Sequence, residues 1–343
     1  MIKSVWTLFL TILASGATLA QPHFNVLVYH HVATDTPAST TISPERFREH
    51  LTLLRDEGFS VVSIEEALAA VRGEGSANLP EKAVVLTFDD AYGNIYDNAF
   101  PMLKEFDYPF TIFVATDPVD QGFNEMLTWD ELQSLQDWGV TIANHTRDHD
   151  YLVRHHPRDD AWLTSVRENI QHAQQRLESE LTGDIPKLFA YPYGEYNAAL
   201  KELLADEGYI GFAQHSGGIY SGSDFHALPR FAAAGIYANP ETLLTKLNSH
   251  PMPVNYDTVP DMLIHDPTPS MTIEVTRPDD MSRSLNCFIN GNWQDAEWEN
   301  ESRFSLAAPD PLSEGRHRFN CTAQARDGDF FYWYSQPWLI QEK

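Results

Sequence analysis

From residue 24 to about 247 the chain alternates short apolar runs with amphipathic stretches, and this alternation is what most restricts its fold. Strand-like runs cover 25–30, 83–88, 110–115, 140–144, 187–191 and 209–214, with a weaker one at 228–232. Helix-like stretches lie between them at 44–57, 64–72, 95–106, 129–138, 159–181 and 198–207. Ser43-Pro44-Glu45 and Thr128-Trp129-Asp130-Glu131 read as helix starts, each with a capping residue followed by acids in the first turn. Strands joined by helices pair in parallel, and this many units favour a closed or nearly closed barrel over an open sheet. In such barrels the chemistry gathers at the C-terminal ends of the strands.

The pattern changes after residue 247. Residues 250–269, rich in Pro and Asp, read as a linker. Beyond them come alternating runs at 271–276, 285–289, 304–307, 316–324 and 330–333, with hairpin signals at Asn290-Gly291 and Asp327-Gly328. The expected fold class is therefore α/β: a barrel over 21–249 and a C-terminal all-β, immunoglobulin-like sandwich over 270–343. The two cysteines, Cys287 and Cys321, both fall in the sandwich, where a disulfide is expected to link its two sheets. Eight aromatics crowd this region (Trp293, Trp298, Phe330, Phe331, Tyr332, Trp333, Tyr334 and Trp338). They admit two readings: a face that stacks on sugar rings, or a set of which about half form the sandwich core of a structural appendage or protein-docking module.

Residues 1–20 read as an export signal. Lys3 precedes an apolar run from Val5 to Leu13, and small residues lead to cleavage after Ala20 or Ala17. The run is too short to span a bilayer, so no membrane span is expected after cleavage, and the location is periplasmic or secreted. The formal charge of −26, from 49 acidic and 23 basic residues, argues against nucleic acid and anionic lipid as partners. It suits a neutral or cationic polymer, or solubility alone.

Four elements carry chemistry, each at a strand's C-terminal end. Thr87-Phe88-Asp89-Asp90 puts two carboxylates at the tip of a buried strand, where an unpaired charge is costly. Neighbours on an extended chain point to opposite sides, so one acid can hold a cation while the other handles a proton. His145 and His149, four apart, fit one side of a helical turn and, with one carboxylate, form a three-ligand metal site with an open position. His30 or His31 can serve as general acid or base. Tyr191-Pro192-Tyr193-Gly194 makes a turn that can aim a backbone N–H at an oxyanion.

Together these elements resemble the polysaccharide deacetylases of carbohydrate esterase family 4. The resemblance covers roughly 24–247, with the motifs in the family's order. It implies a distorted (β/α) barrel of about seven strands and a divalent metal, usually zinc with cobalt or nickel as substitutes, held by Asp90, His145 and His149. It also implies Asp89 as the base, the Tyr193 N–H as part of an oxyanion hole, and an N-acetylated polysaccharide as substrate. Two departures stand out. Ala190 occupies the place of an Arg that orients the base, and no late Leu-x-His motif is evident around His215, His226 or His250. The early Leu27-Val28-Tyr29-His30 is similar instead to the N-terminal His motif of the subgroup that deacetylates poly-β-1,6-N-acetylglucosamine, which points to His30 as the acid. Arg230 in Leu228-Pro229-Arg230 is a candidate for the missing cation. Alternatives are a deacetylase of peptidoglycan, chitin or acetylated xylan, a non-catalytic glycan-binding protein, and an iron oxygenase using the same two His and one Asp.

Overall fold

The computed structural model describes residues 21–74 and 78–341, so the export signal expected at 1–20 lies outside the described residues. None of the described helices is long and apolar enough to cross a membrane.

The N-terminal part is built on one curled sheet. Its main strands are β1 (His23–Tyr29), β2 (Ala83–Asp89), β3 (Thr111–Val114), β4 (Thr141–Asn144), β5 (Leu188–Ala190), β6 (Ile210–Phe212) and β7 (Gly218–Tyr220), with a short β8 (Phe231–Ala232) and the pair Ser60–Val61 alongside β2. The order along the sheet is β7-β1-β2-β3-β4-β5-β6. Strands β1 to β6 run parallel, with Phe24 opposite Ala83 and Val114 opposite Asn144. β2 is buried along its whole length, as expected for a strand covered on both faces.

Two features of the sheet depart from a simple parallel array. β7, which lacks a clear apolar run, pairs antiparallel with the first half of β1. The second half of that edge is taken by β8, through Leu27–Phe231 and Val28–Ala232. Just before β8, the Leu228 N–H donates to the Gly211 carbonyl and the Ala213 N–H donates to the Leu228 carbonyl, both at 2.8 Å. Segment 228–232 thus stitches the last parallel strand to the first. Arg230 sits in the middle of the seam.

The helices α1 (Pro44–Asp56), α2 (Ile64–Val71), α3 (Phe100–Phe106), α4 (Trp129–Trp138), α5 (Asp160–Glu180), α6 (Ala198–Glu207) and α7 (Pro240–Leu247) complete this part. Ser43 caps α1 through its side chain, and Thr128 with Glu131 forms a full capping box on α4. The expected helix 95–106 begins instead as a turn of π-helix, Ile95–Ala99, that runs into α3.

The C-terminal part has two sheets around one core. β9 (Ser270–Glu274) pairs with β13 (Arg303–Ala307), which pairs with β12 (Glu297–Trp298). β10 (Met281–Ile289) lies between β11 (Asn292–Gln294) and β14 (Gly315–Ala325), and β14 pairs with β15 (Phe331–Ile340). Ile273, Phe304 and Leu306 from one sheet pack with Cys287, Phe319 and Trp338 from the other. Cys287 and Cys321 are bridged, but within one sheet and not between the two. They are register partners on β10 and β14, 4.1 Å apart at Cα, the close approach that directly opposed residues of an antiparallel pair can reach.

Residues 250–269, expected as a linker, are tied into this sheet. His250–Pro251 pairs with Tyr332–Trp333, and Leu263–Ile264 with Leu339–Ile340. Leu339 joins Tyr191, Tyr196, Leu200 and Met262 in one buried cluster, and Trp333 meets Phe231 edge-on at 5.4 Å. Most of the aromatics are spent on such packing: Trp338, Tyr334 and Tyr332 are buried, and of the eight only Trp293 is largely exposed.

Candidate active site

Asp89 is the last residue of β2, and both it and Arg230 are fully buried. Arg230 Nη1 donates to Asp89 Oδ1 at 2.7 Å and Nη2 donates to Oδ2 at 2.8 Å. The fork is fixed from behind: Arg230 Nε donates to the Ala213 carbonyl at 2.9 Å, and Nη1 also reaches Thr87 Oγ1 at 3.3 Å. Gln214 Nε2 adds a 3.3 Å contact to Asp89 Oδ2. Burial alone would lift the Asp89 carboxyl. Arg230 and nearby His145 outweigh it and hold Asp89 below the ordinary carboxylate value. The cation missing at Ala190 is therefore supplied from the barrel seam, and its two parallel bonds fix the carboxylate's orientation.

Asp90 turns away from the strand in a left-handed conformation, φ 75°, followed by Ala91 at φ 66°. Its Oδ1 lies 3.2 Å from His145 Nε2 and 3.2 Å from His149 Nε2. Potential ligand atoms of the three residues all fall within 4.8 Å of one another. The histidines are not on a helical turn, as their spacing suggested, but on an irregular loop after β4. Thr146 (φ 71°) and His149 (φ 57°) are both left-handed. Asn144 Oδ1 accepts from the Thr146 N–H, and Thr146 Oγ1 accepts from the His149 N–H, each at 2.9 Å.

Five of the seven non-glycine residues with positive φ among those described lie here: Asp90, Ala91, Thr146, His149 and Tyr193. Each such conformation costs on the order of 1–3 kcal/mol, and that strain is concentrated where Asp90, His145 and His149 converge.

The donor set fits a divalent metal. His145 Nδ1–H donates to the Ala190 carbonyl at 2.7 Å, which fixes the proton on that nitrogen. Nε2 is then left buried without a hydrogen-bond partner, and so is Asp90 Oδ1. Two acceptors facing each other at 3.2 Å need a cation between them. Without a metal a proton would serve: burial pulls His145 down, but Asp89 and Asp90 outweigh it and raise its pKa.

A cleft of about 600 Å3 opens over these groups, lined by His30, Asp90, Tyr92, His149, Tyr193 and Gln214 among others. Of the two candidate imidazoles, His30 lines the cleft, while His31 is buried, stacked on Tyr92 at 3.7 Å. Burial presses His30 below its ordinary pKa, with Asp89 and Asp90 pulling the other way. His215 is buried off the cleft and pushed down to about 4 by burial. Tyr193 adopts φ 58°, and its ring stands edge-on to His149 at 4.6 Å. Gly194 is required: at φ +69° a Cβ would lie 2.6 Å from the Gln214 Cβ.

Residues 76–211 match the polysaccharide deacetylase family. The chain is 27% identical over 251 residues to poly-beta-1,6-N-acetyl-D-glucosamine N-deacetylase of Escherichia coli (strain K12), across 62% of this chain but 37% of that protein. It is 23% identical to the protein of the same name from Staphylococcus aureus (strain MRSA252), across 60% of this chain and 72% of that one. In three dimensions it is similar to the Streptococcus pyogenes deacetylase PplD (TM-score 0.59, 24% identity), across 66% of this chain and 99% of that one. Residues 76–211 thus carry a polysaccharide deacetylase domain, and about 60% of the chain is similar to enzymes named as deacetylases. The match to the E. coli protein covers only about a third of that protein's length. His30 and Arg230 lie outside the stretch that matches the family, and they reach the site only through the barrel's first strand and its seam.

Proposed function

We propose that this protein hydrolyses N-acetyl groups from an extracytoplasmic amino-sugar polymer, poly-β-1,6-N-acetylglucosamine being the favoured substrate, and releases acetate. The observation that carries this reading is the pairing of Asp89 with Arg230 directly beside Asp90, His145 and His149. One acid is oriented as a base, and the other faces imidazoles across a gap that calls for a cation. The names of the E. coli and S. aureus relatives support the choice of polymer. The division into a barrel at 21–249 and an accessory sandwich at 270–343, and a periplasmic or secreted location, belong to the same proposal.

Asp90, His145 and His149 would hold the metal, zinc by preference with cobalt or nickel as substitutes. When bound it supplies Lewis acidity to the acetamide oxygen and to water. Asp89, ionised and held by Arg230, accepts the proton of the attacking water. The Tyr193 N–H donates to the carbonyl oxygen as it gains charge. His30, at the cleft wall, delivers a proton to the departing amine. Water and amide become acetate and an ammonium group: Asp89 takes one proton of the water, His30 gives one to the departing nitrogen, and the remaining proton of the acetic acid passes to the amine.

The test is acetate release from acetylated glycans by the metal-loaded protein. Release from poly-β-1,6-N-acetylglucosamine above peptidoglycan, chitin and acetylated xylan is expected. Preference for one of the others would replace the polymer and leave the chemistry. No release from any of them would leave the glycan-binding alternative standing.

A further inference from the structure

The sandwich reaches into the cleft. Arg316, His317 and Arg318 on β14, with Pro337 on β15, line the same cleft as Asp90, His149 and Tyr193. Arg316 Nη1 donates to the Tyr193 carbonyl, and Arg316 Nε lies 3.4 Å from Glu195 Oε1. The Glu195 side chain is fully buried and is also gripped by Arg154, whose Nε donates to Oε2 at 2.8 Å while Nη2 donates to Oε1. Arg154 in turn lies over the Tyr151 ring at 4.1 Å, and Tyr151 stacks on Tyr193 at 3.8 Å with a 10° tilt.

We propose that Arg316 is a positioning residue for the Tyr193 turn, so that the C-terminal sandwich completes the active site of the barrel. A single buried carboxylate ties together three pieces distant in sequence: the loop after His149, the Tyr193 turn and strand β14. The Tyr193 carbonyl held by Arg316 sets one side of a left-handed residue, and the Gly194 N–H bond to the Tyr191 carbonyl at 2.8 Å sets the turn itself. A left-handed Tyr has no conformational preference to keep it there, so the Arg316 bond, by holding the peptide that follows Tyr193, adds to the Gly194 bond in keeping the residue and its N–H in place. A second cation on Glu195 would otherwise be redundant, because Arg154 already forms a two-bonded pair with it.

The effect on turnover rests on the oxyanion reading of Tyr193, so the test has two arms. In the zinc-loaded full chain, Arg316→Ala is expected to speed hydrogen exchange of amides 191–196. On an N-acetylated oligosaccharide it is expected to lower kcat about 10- to 100-fold with KM little changed and zinc content retained. Arg316→Lys, which can still donate to the carbonyl, recovers part of both. The Arg316 side chain is 46% exposed, so truncation opens no buried cavity, and thermal melting checks the fold. Unchanged exchange overturns the proposal. So does an unchanged kcat where the unaltered protein turns over. If the unaltered protein releases no acetate, the proposed function fails, and the exchange arm alone decides whether Arg316 holds the turn.

Discussion

Asp89 lies fully buried against a fully buried guanidinium, whereas Asp90, one residue on, is 9% exposed and faces two imidazole nitrogens, one of which carries its proton on the far side. The first acid has a complete set of donors. The second has a gap that a cation fills. Identical side chains on adjacent residues thus gain different surroundings, which the proposed function reads as a fixed base and a ligand, because β2 ends between them and the chain turns left-handed at Asp90. Removing a partner therefore has different consequences on the two sides.

On the Asp90 side, chelation is expected to abolish acetate release, and zinc or cobalt to restore it. Activity that survives exhaustive chelation would erase the distinction between the two acids. On the Asp89 side, Arg230→Ala leaves a buried carboxylate unpaired and is expected to cost about 3–5 kcal/mol in urea unfolding, along with most of the activity. A loss below about 1 kcal/mol would show that the pair is not the anchor its geometry suggests.

The pH dependence separates the two sides more finely. In the metal-free protein His145 is raised above its ordinary value, so a proton competes with zinc at pH values above as well as below roughly 6.5. Zinc affinity, read by competition with a chromophoric chelator, is expected to fall as pH drops through that range. Asp89 is depressed and ionised throughout it, and its charge is one of the two that raise His145, so Asp89→Asn is expected to shift the fall in zinc affinity to lower pH. The smallest effect is expected away from both acids. Trp293→Ala, at a side chain exposed on the sandwich, should change stability by less than about 0.5 kcal/mol and leave polymer binding intact. Weakened binding would revive a sugar-stacking face there.

The contrast between the acids was only partly legible in the sequence. Strand ends and caps were readable because they are local: α4 runs over Trp129–Trp138 as its capping residues indicate. The Asp pair and the two histidines could be placed at strand ends for the same reason. Arg230 could be named as a candidate, but its pairing spans 141 residues and depends on how the barrel seam closes. The left-handed residues at Asp90, Thr146, His149 and Tyr193 are not glycines, so nothing in their side chains announces the conformation that gathers the ligands. The spacing of His145 and His149 suggested a helical turn because period alone cannot distinguish it from a strained loop. Arg316 gave no sequence signal as a cleft residue, since its place follows from the docking of the sandwich.

The most direct test of the division between the acids is zinc content and acetate release measured together in Asp89→Asn and Asp90→Asn. The expected result is that Asp89→Asn keeps about one zinc per chain and loses turnover about 10²- to 10⁴-fold, while Asp90→Asn loses the zinc itself. Equal zinc loss in both variants, or full turnover in Asp89→Asn, would contradict it.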